Sequence, residues 1–374
     1  MIRLRKNVLF IVVLTVLAIF FIGCKGAAGD DGTDGTNGIA GVAGSDGGDG
    51  ADGADGADGA DGNVTCFECH ATEIFEQALY DFGASQHSSG DIAVSYAGAR
   101  GSCSRCHSHE GFVAFANGFP AHNINSPSAW ECGTCHTLHN EFTSEDYNLR
   151  MTTAVSIWDS GTFMLKGESL LELEGGNALC ANCHQSRRAE PNITDPGATF
   201  NITSTHYGPH HGSQANVLAG VGFAEVAGSI AYPAAGSDPH IAASCTGCHM
   251  NDNSHSFDPS VAACNACHAT TDFNYGGVAD EMADLLDELR DLLVTAGVIE
   301  LGTEELFELN EETGVIELVV HTEGYHPVVG THDMVLAQAF FNWVGLAEDR
   351  SLGAHNPKYY KALLKNSIDA VNAL

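Results

Sequence analysis

Twelve of the thirteen cysteines in this chain form six Cys-x-x-Cys pairs, and a histidine directly follows the second cysteine of every pair. Two thiols three positions apart reach the two vinyl groups of one haem, and the adjacent histidine then meets the iron from that side. The pattern therefore predicts six covalently attached haems c, each with its iron. In chain order, motifs 1 to 6 supply the attachment cysteines Cys66 and Cys69, Cys103 and Cys106, Cys132 and Cys135, Cys180 and Cys183, Cys245 and Cys248, Cys264 and Cys267, and the proximal histidines His70, His107, His136, His184, His249 and His268.

Three other uses of Cys-x-x-Cys pairs fit this pattern less well. Structural zinc does not need a histidine after every second cysteine. Thioredoxin-like redox motifs occur singly beside a βαβ unit, and the sequence indicates no such unit. Disulfides closing six short loops would make a poor scaffold. Haem attachment remains the interpretation that explains all six histidines.

The chain has 19 histidines, so thirteen remain after the six proximal ones. This number allows a second axial ligand on every iron, and we predict largely bis-histidine coordination. For any single remaining histidine, the alternative interpretation is a surface or hydrogen-bonded side chain. The distal candidates are His87, His139, His206, His240, His255 and His355, with His109, His210 and His211 in reserve.

The first 24 residues combine a basic start, an apolar run from Val8 to Ile22 and then Cys24, which predicts an export signal peptide. Phe21-Ile22-Gly23-Cys24 resembles the lipobox of bacterial lipoproteins, in which the cysteine is lipidated. That resemblance implies an exported lipoprotein facing the periplasm or the cell surface, and Lys25 favours the outer membrane. An uncleaved anchor helix with an incidental cysteine is the alternative.

Glycine occupies every third position from Gly26 to Gly62, which is typical of collagen-like sequence. The tract has nine aspartates, no lysine or arginine and no proline, so three associated strands would repel one another. A trimer and a solvated extended arm are both open. We expect residues 25–62 to form an acidic spacer between the signal and the haem region.

The predicted fold is mainly α with much irregular structure, built around haems rather than around a large side-chain core. Residues 63–275 alternate short helical pieces with Gly, Ser, Asn and Pro-rich stretches and form the six-haem region. Residues 276–374 form a helical region that packs on the haems. Its sequence predicts an amphipathic helix over 278–297, a small β-hairpin near 304–320, and helices over 334–344 and 357–374.

The run from His206 through Cys-Thr-Gly-Cys-His-Met, Ser254-His255-Ser256-Phe257 and Cys-Asn-Ala-Cys-His, with Leu352-Gly353-Ala354-His355-Asn356-Pro357, resembles bacterial multihaem cytochromes. The grouping around pentahaem nitrite reductase and the octahaem hydroxylamine-oxidising and tetrathionate-reducing enzymes is the nearest likeness, over about residues 80–370. It implies distal haem ligation by His87, His255 and His355. The Cys-x-x-Cys-Lys motif of the nitrite-reducing family's catalytic haem is absent from this sequence.

Electron transfer in anaerobic or extracellular respiration is the function that these features favour, with no catalytic residue. The alternative is a multihaem oxidoreductase of nitrite, hydroxylamine or sulfur oxyanions with one open haem, walled by the loop from His206 to Gln214. A non-catalytic adhesin or haem-binding surface protein that uses the collagen-like arm is a third class. A spectrum without high-spin haem would argue against the enzyme.

The expected partners are other redox proteins or an extracellular electron acceptor, and the membrane through the lipid anchor. Asp and Glu number 48 against 15 Lys and Arg, which gives a net charge of −33 and excludes nucleic acid as a natural partner. Association into a homo-oligomer or filament is open at this point.

Overall fold

The computed structural model describes residues 70, 73–139, 147–153, 155–159, 164–169, 173, 175–188, 190–191, 197–309 and 316–374. The predicted signal peptide, the collagen-like spacer and the two cysteines of motif 1 lie outside the described residues. So does the predicted turn of the C-terminal hairpin. Among the described helices, none is both long enough and apolar enough to cross a membrane.

Short helices dominate the region that carries the attachment motifs. Most have fewer than eleven residues, a length at which a helix in water is unstable without tertiary packing. Among the described residues, two antiparallel strand pairs accompany them. One pairs Ser156–Asp159 with Met164–Ser169, and the other pairs Thr199–Ile202 with Gly330–Asp333. The helices are α1 Glu73–Ala84, α2 Gln86–Ser89, α3 Asp91–Ala93, α4 Gly101–His107, α5 His109–Ala116, α6 Cys132–Cys135, α7 Gly176–Ala181, α8 Gln214–Ala219, α9 His240–His249 and α10 Val261–Cys264; the strands are β1 Ser156–Asp159, β2 Met164–Ser169 and β3 Thr199–Ile202.

The C-terminal region has longer elements: α11 Val278–Thr295, β4 Ile299–Leu309, β5 Ile316–Pro327, β6 Gly330–Asp333, α12 Met334–Asp349 and α13 Pro357–Asn372. Capping residues beside α12 and α13 define where these two helices begin. The Asp333 carboxylate accepts a hydrogen bond from the Val335 backbone N–H (2.8 Å) and caps α12. Asn356 caps α13 in the same way, and Pro357 occupies its first turn.

A single apolar core joins the three C-terminal helices. Met282, Leu285, Leu289 and Leu293 form the buried stripe of α11. The bulkiest side chains that are fully buried in this core come from α12 and α13: Phe340, Phe341, Tyr359 and Tyr360. Ile202, Tyr207, Val217 and Phe223 of the motif region pack into the same core. The C-terminal helices therefore form a conventional scaffold that reaches into the motif region.

Two buried asparagines attach the loop after α8 to these helices. The Asn342 side chain accepts a hydrogen bond from the Ala224 N–H (2.9 Å) and donates one to the Ala224 carbonyl (2.8 Å). Asn366 makes the same two bonds to Ile230, at 2.9 and 2.8 Å. Each amide thus satisfies both backbone groups of one residue, as a neighbouring strand would.

The structure confirms the mainly helical fold and the C-terminal elements predicted from the sequence. Helix α11 covers the predicted 278–297 almost completely, and α12 extends five residues beyond the predicted 334–344. The predicted hairpin is present but longer, since β4 pairs with β5 from Ile299 opposite Pro327 to Leu309 opposite Ile316. The sequence did not indicate the pairing of β3 with β6, whose strands are more than a hundred residues apart.

Candidate haem sites

The described attachment motifs lie on or at the ends of short helices. Motif 2 occupies α4, motif 3 spans α6, motif 4 begins on α7, motif 5 ends α9 and motif 6 begins on α10. Residues three apart project from the same face of a helix. Helices α4, α6 and α9, which contain both cysteines of their motifs, therefore direct both thiols to one side, as attachment to a single porphyrin edge requires.

Every proximal histidine lies opposite a second histidine. The six pairs, numbered by motif, and the distances between their ring centroids are His70 and His139 at 6.0 Å, His107 and His210 at 6.0 Å, His136 and His255 at 6.4 Å, His184 and His87 at 6.0 Å, His249 and His355 at 6.3 Å, and His268 and His240 at 6.0 Å. No histidine belongs to two pairs.

These distances match two imidazoles that share one metal ion. A nitrogen lies about 2 Å from the metal it binds, so two rings on opposite sides of one ion have centroids about 6 Å apart. The coordination chemistry of haem iron thus accounts for a spacing that recurs six times. Direct hydrogen bonds between the rings would bring the nitrogens of each pair much closer together.

Five of the six facing histidines, His87, His139, His240, His255 and His355, are the distal candidates selected from the sequence. For motif 2, the structure places His210 and not His206 opposite His107. His206 is exposed, whereas the chain reverses at His210 with φ 80° and turns that ring inward. Burial, followed by the charge of Arg187, lowers the pKa of His210 to about 3 and keeps the ring neutral.

The other two reserve candidates have different partners. The His211 ring is exposed, and its Nδ1 lies 2.5 Å from the Glu348 carboxylate, which raises the pKa of His211. The Nδ1 of His109 lies 2.7 Å from the Thr134 hydroxyl. Neither ring faces a proximal histidine.

Acceptor groups orient five of the twelve paired rings through Nδ1. Backbone carbonyls accept from three of them, His136 (Tyr147, 2.7 Å), His249 (Phe257, 2.8 Å) and His255 (Asn253, 2.9 Å), and side chains accept from His184 (Gln214, 3.2 Å) and His355 (Asp349, 2.7 Å). A proton on Nδ1 leaves the Nε2 lone pair free for a metal. Such outer contacts are usual for histidines that ligate metals.

The Asp349 contact is the only one of these five that comes from a carboxylate. The Asp349 side chain is fully buried, and the Ser351 hydroxyl donates to its other oxygen. In the fourth pair, burial and then the charge of His184 lower the pKa of His87 to about 4. A neutral imidazole is the form that binds iron.

A cavity of about 1910 Å³ runs between the motifs. Four of the histidine pairs, those of motifs 1, 2, 3 and 4, line it together with the cysteines of motifs 2, 3 and 4. A single pocket for a small organic ligand measures roughly 300–1,000 Å³, so this space suits several large groups. The paired rings, the thiols and the volume all fit haem.

No family model matches the chain. Two curated relatives, the C-type polyheme cytochrome OmcB of Geobacter sulfurreducens strains DL-1/KN400 and ATCC 51573/DSM 12127/PCA, are 26% identical to it over 341 residues. The alignment covers 74% of this chain but only 44% of each relative, so the chain spans less than half their length.

Two solved structures have partial likeness to the chain. The outer cell wall cytochrome OcwA has a TM-score of 0.46 at 14% identity, covering 78% of this chain and 49% of that one. The undecaheme cytochrome from the S-layer of Carboxydothermus ferrireducens has a TM-score of 0.45 at 15% identity, covering 77% and 40%.

The repeated Cys-x-x-Cys-His motifs, the facing histidines and the polyhaem relative define the class. The chain is a multihaem c-type cytochrome.

Proposed function

We propose that this protein transfers electrons through six haems c, each attached by two thioethers and held between two histidines. Bound haem supplies a reversible one-electron couple. The residues of the chain attach it, supply both axial nitrogens and exclude water around it. The axial pairs are the six described above, with His210 rather than His206 opposite His107.

The observation that carries this proposal is the completeness of the pairing. Reduction of a small molecule at iron requires a coordination position that the substrate occupies. The ring of each of the six proximal histidines has its centroid 6.0 to 6.4 Å from that of another histidine, a separation that one iron ion would fill. This arrangement favours a relay over the oxidoreductase alternative. The similarity to a polyhaem cytochrome supports the same function.

The first test is spectroscopic. We expect haemochrome analysis of the purified protein to give six haems per chain, and we expect the ferric EPR spectrum to contain only low-spin iron. The angle between two axial imidazole planes controls the anisotropy of that signal. The fourth pair, at 86°, and the first, at 19°, should give clearly different signals. A high-spin signal of one haem per chain would contradict the electron-transfer function and favour the oxidoreductase.

A matched pair of variants in one loop tests the ligand assignment. His210→Ala should convert one low-spin haem per chain to high spin, because it removes one of the two histidine ligands of that iron. His206→Ala should leave every haem low-spin, since the His206 ring is exposed. The opposite result would restore His206 as the ligand.

We also propose that Cys24 anchors the protein by lipid to the outer membrane and that residues 25–62 hold the haem region away from the surface. In this position the protein would pass electrons to other redox proteins or to an extracellular acceptor. The Cys24→Ala variant should leave the membrane fraction while keeping its haems. Retention of that variant in the membrane would contradict lipid anchoring.

A further inference from the structure

Motif 4 contacts three of the other motifs, namely 2, 3 and 5. Its first link is to motif 2. Arg105, between the two cysteines of motif 2, donates a hydrogen bond to the side-chain oxygen of Asn182 (2.7 Å), between the two cysteines of motif 4. The Cys106 thiol lies 3.6 Å from the Asn182 carbonyl. Both Arg105 and Asn182 are buried, so the two attachment turns are in direct contact.

The second link is to motif 5. The Asn177 side chain on α7 accepts a hydrogen bond of 2.5 Å from the backbone N–H of Cys245. A side chain at Gly176 would lie 2.6 Å from the methyl group of Thr246, which is inside motif 5. Helices α7 and α9 are therefore in close contact, with the Thr246 side chain packed against Gly176.

The third link, to motif 3, passes through Phe257. Its ring centroid lies 4.8 Å from that of His87, which faces His184 of motif 4, and 6.2 Å from that of His255, which faces His136 of motif 3. The Phe257 carbonyl also accepts the hydrogen bond from His249 of motif 5. One residue thus contacts histidines of three pairs.

Phe257 holds this position in an unfavourable backbone conformation. Its φ of 63° lies in the left-handed region, which bulky residues rarely adopt. Such strain persists where the surrounding contacts determine the conformation, and it is concentrated at functional sites. The contacts here are the histidine rings of the third and fourth pairs.

The remaining pairs adjoin these motifs through other contacts, and the second pair also adjoins the third, because the His109 ring, two residues beyond His107, lies 2.7 Å from the Thr134 hydroxyl inside motif 3. His139, opposite His70, follows the proximal histidine of motif 3 by three residues, so the first pair adjoins the third. His240, opposite His268, begins helix α9, which ends in motif 5, so the sixth pair adjoins the fifth. The second pair adjoins the fourth, because the Arg187 N–H beyond motif 4 donates to the Pro209 carbonyl beside His210 (2.9 Å).

We propose that motif 4 is a branch point of the haem chain, adjacent to motifs 2, 3 and 5, with motif 1 beyond motif 3 and motif 6 beyond motif 5. This proposal rests on the six-haem function proposed above. The order in space therefore differs from the order in sequence. The haem chain ends at motifs 1 and 6, which allows a donor and an acceptor to act at separate surfaces.

Two ligand replacements test the branch. Methionine in place of an axial histidine raises the reduction potential of that haem, so it is reduced first. The added electron then lowers the potentials of adjacent haems by electrostatic repulsion. We expect His87→Met to lower the potentials of three other haems, those of motifs 2, 3 and 5. His240→Met is the matched control at an end and should lower only one, that of motif 5.

The readout is a potentiometric titration of each variant and of the wild type, followed by EPR, which counts the haems whose midpoint potentials change. Equal numbers of shifted haems in the two variants would overturn the branch. Iron positions in the unmodified holoprotein, from electron cryo-microscopy, give the second measurement. The iron of motif 4 should have three near neighbours, and a linear order would overturn the proposal. In either case, wild-type protein with six low-spin haems would leave the relay function intact.

Discussion

The motif region and the C-terminal region of this protein differ in what fills the space between their helices. Residues 278–374 bury large side chains against one another, and Phe340, Phe341, Tyr359 and Tyr360 have no exposed surface. Residues 73–277 consist of short helices around a cavity of about 1910 Å³ lined by histidines and cysteines. Side chains fill the core of the C-terminal region. In the motif region, we expect bound haem to fill the space between the helices.

The largest effect expected from this difference is on the protein without haem. In cells that lack the haem-attachment machinery, the motif region should lose its tertiary structure, because helices of 3 to 12 residues do not persist without packing. Limited proteolysis with mass spectrometry should show early cleavage within residues 73–277 of the apoprotein, and resistance in the holoprotein. Equal resistance of the two forms would show that side chains alone support the motif region.

Removal of a large core side chain should be the next largest effect. Phe341→Ala should lower the free energy of unfolding of the holoprotein by about 3–5 kcal/mol, because it leaves a cavity in the C-terminal core. Phe273→Ala is the matched control in the motif region. Its ring is 55% exposed, so the change should stay within about 0.5 kcal/mol. Denaturant titration followed by far-UV circular dichroism measures both.

The bonds that join the two regions should matter less than the core itself. Asn342→Ala leaves the buried N–H and carbonyl of Ala224 without their partner, at a cost of about 1–3 kcal/mol. Hydrogen exchange should then increase around residues 218–230 more than within α11. Asn117→Ala, at an exposed position, serves as the control. Uniform exchange throughout the chain would contradict a local link.

The smallest effect is expected at the surface of the C-terminal region. The Lys361 ammonium lies 2.5 Å from the Glu281 carboxylate, and both side chains are substantially exposed. Lys361→Ala should therefore change the free energy of unfolding by less than about 1 kcal/mol. Added salt should reduce the difference between variant and parent still further. A loss comparable to that of Phe341→Ala would mean that the region depends on charge rather than on burial.

Local patterns predicted the C-terminal region well. The leucine spacing of α11, Pro357 in the first turn of α13 and the two segments rich in Leu and Val that flank the hairpin turn all act within a few residues, so they are visible in the sequence. The pairing of β3 with β6 was not predictable in this way, because it depends on distant segments meeting on a common core. The two asparagine links to Ala224 and Ile230 have the same origin.

The histidine pairs also include some members that were predictable from the sequence and one that was not. His139 is near motif 3 in sequence, and His255 lies between motifs 5 and 6, which made them visible as candidates. The preference for His210 over His206 came from a chain reversal at positive φ, a feature that the His-His-Gly sequence does not specify. Phe257 entered only as part of the Ser254–Phe257 run that resembles multihaem cytochromes, and no contact of its ring was predicted, since an aromatic residue in a loop is most simply interpreted as packing.

The amino-acid sequence by itself determined our prediction of where haem is attached and of which histidine lies on the near side of each iron. Thioether attachment is local chemistry, complete within five consecutive residues. Only the tertiary structure decided which histidine lies on the far side and which motifs are neighbours. Those relations join residues far apart in the chain, such as Arg105 and Asn182, which are 77 positions apart, and folding alone brings them together.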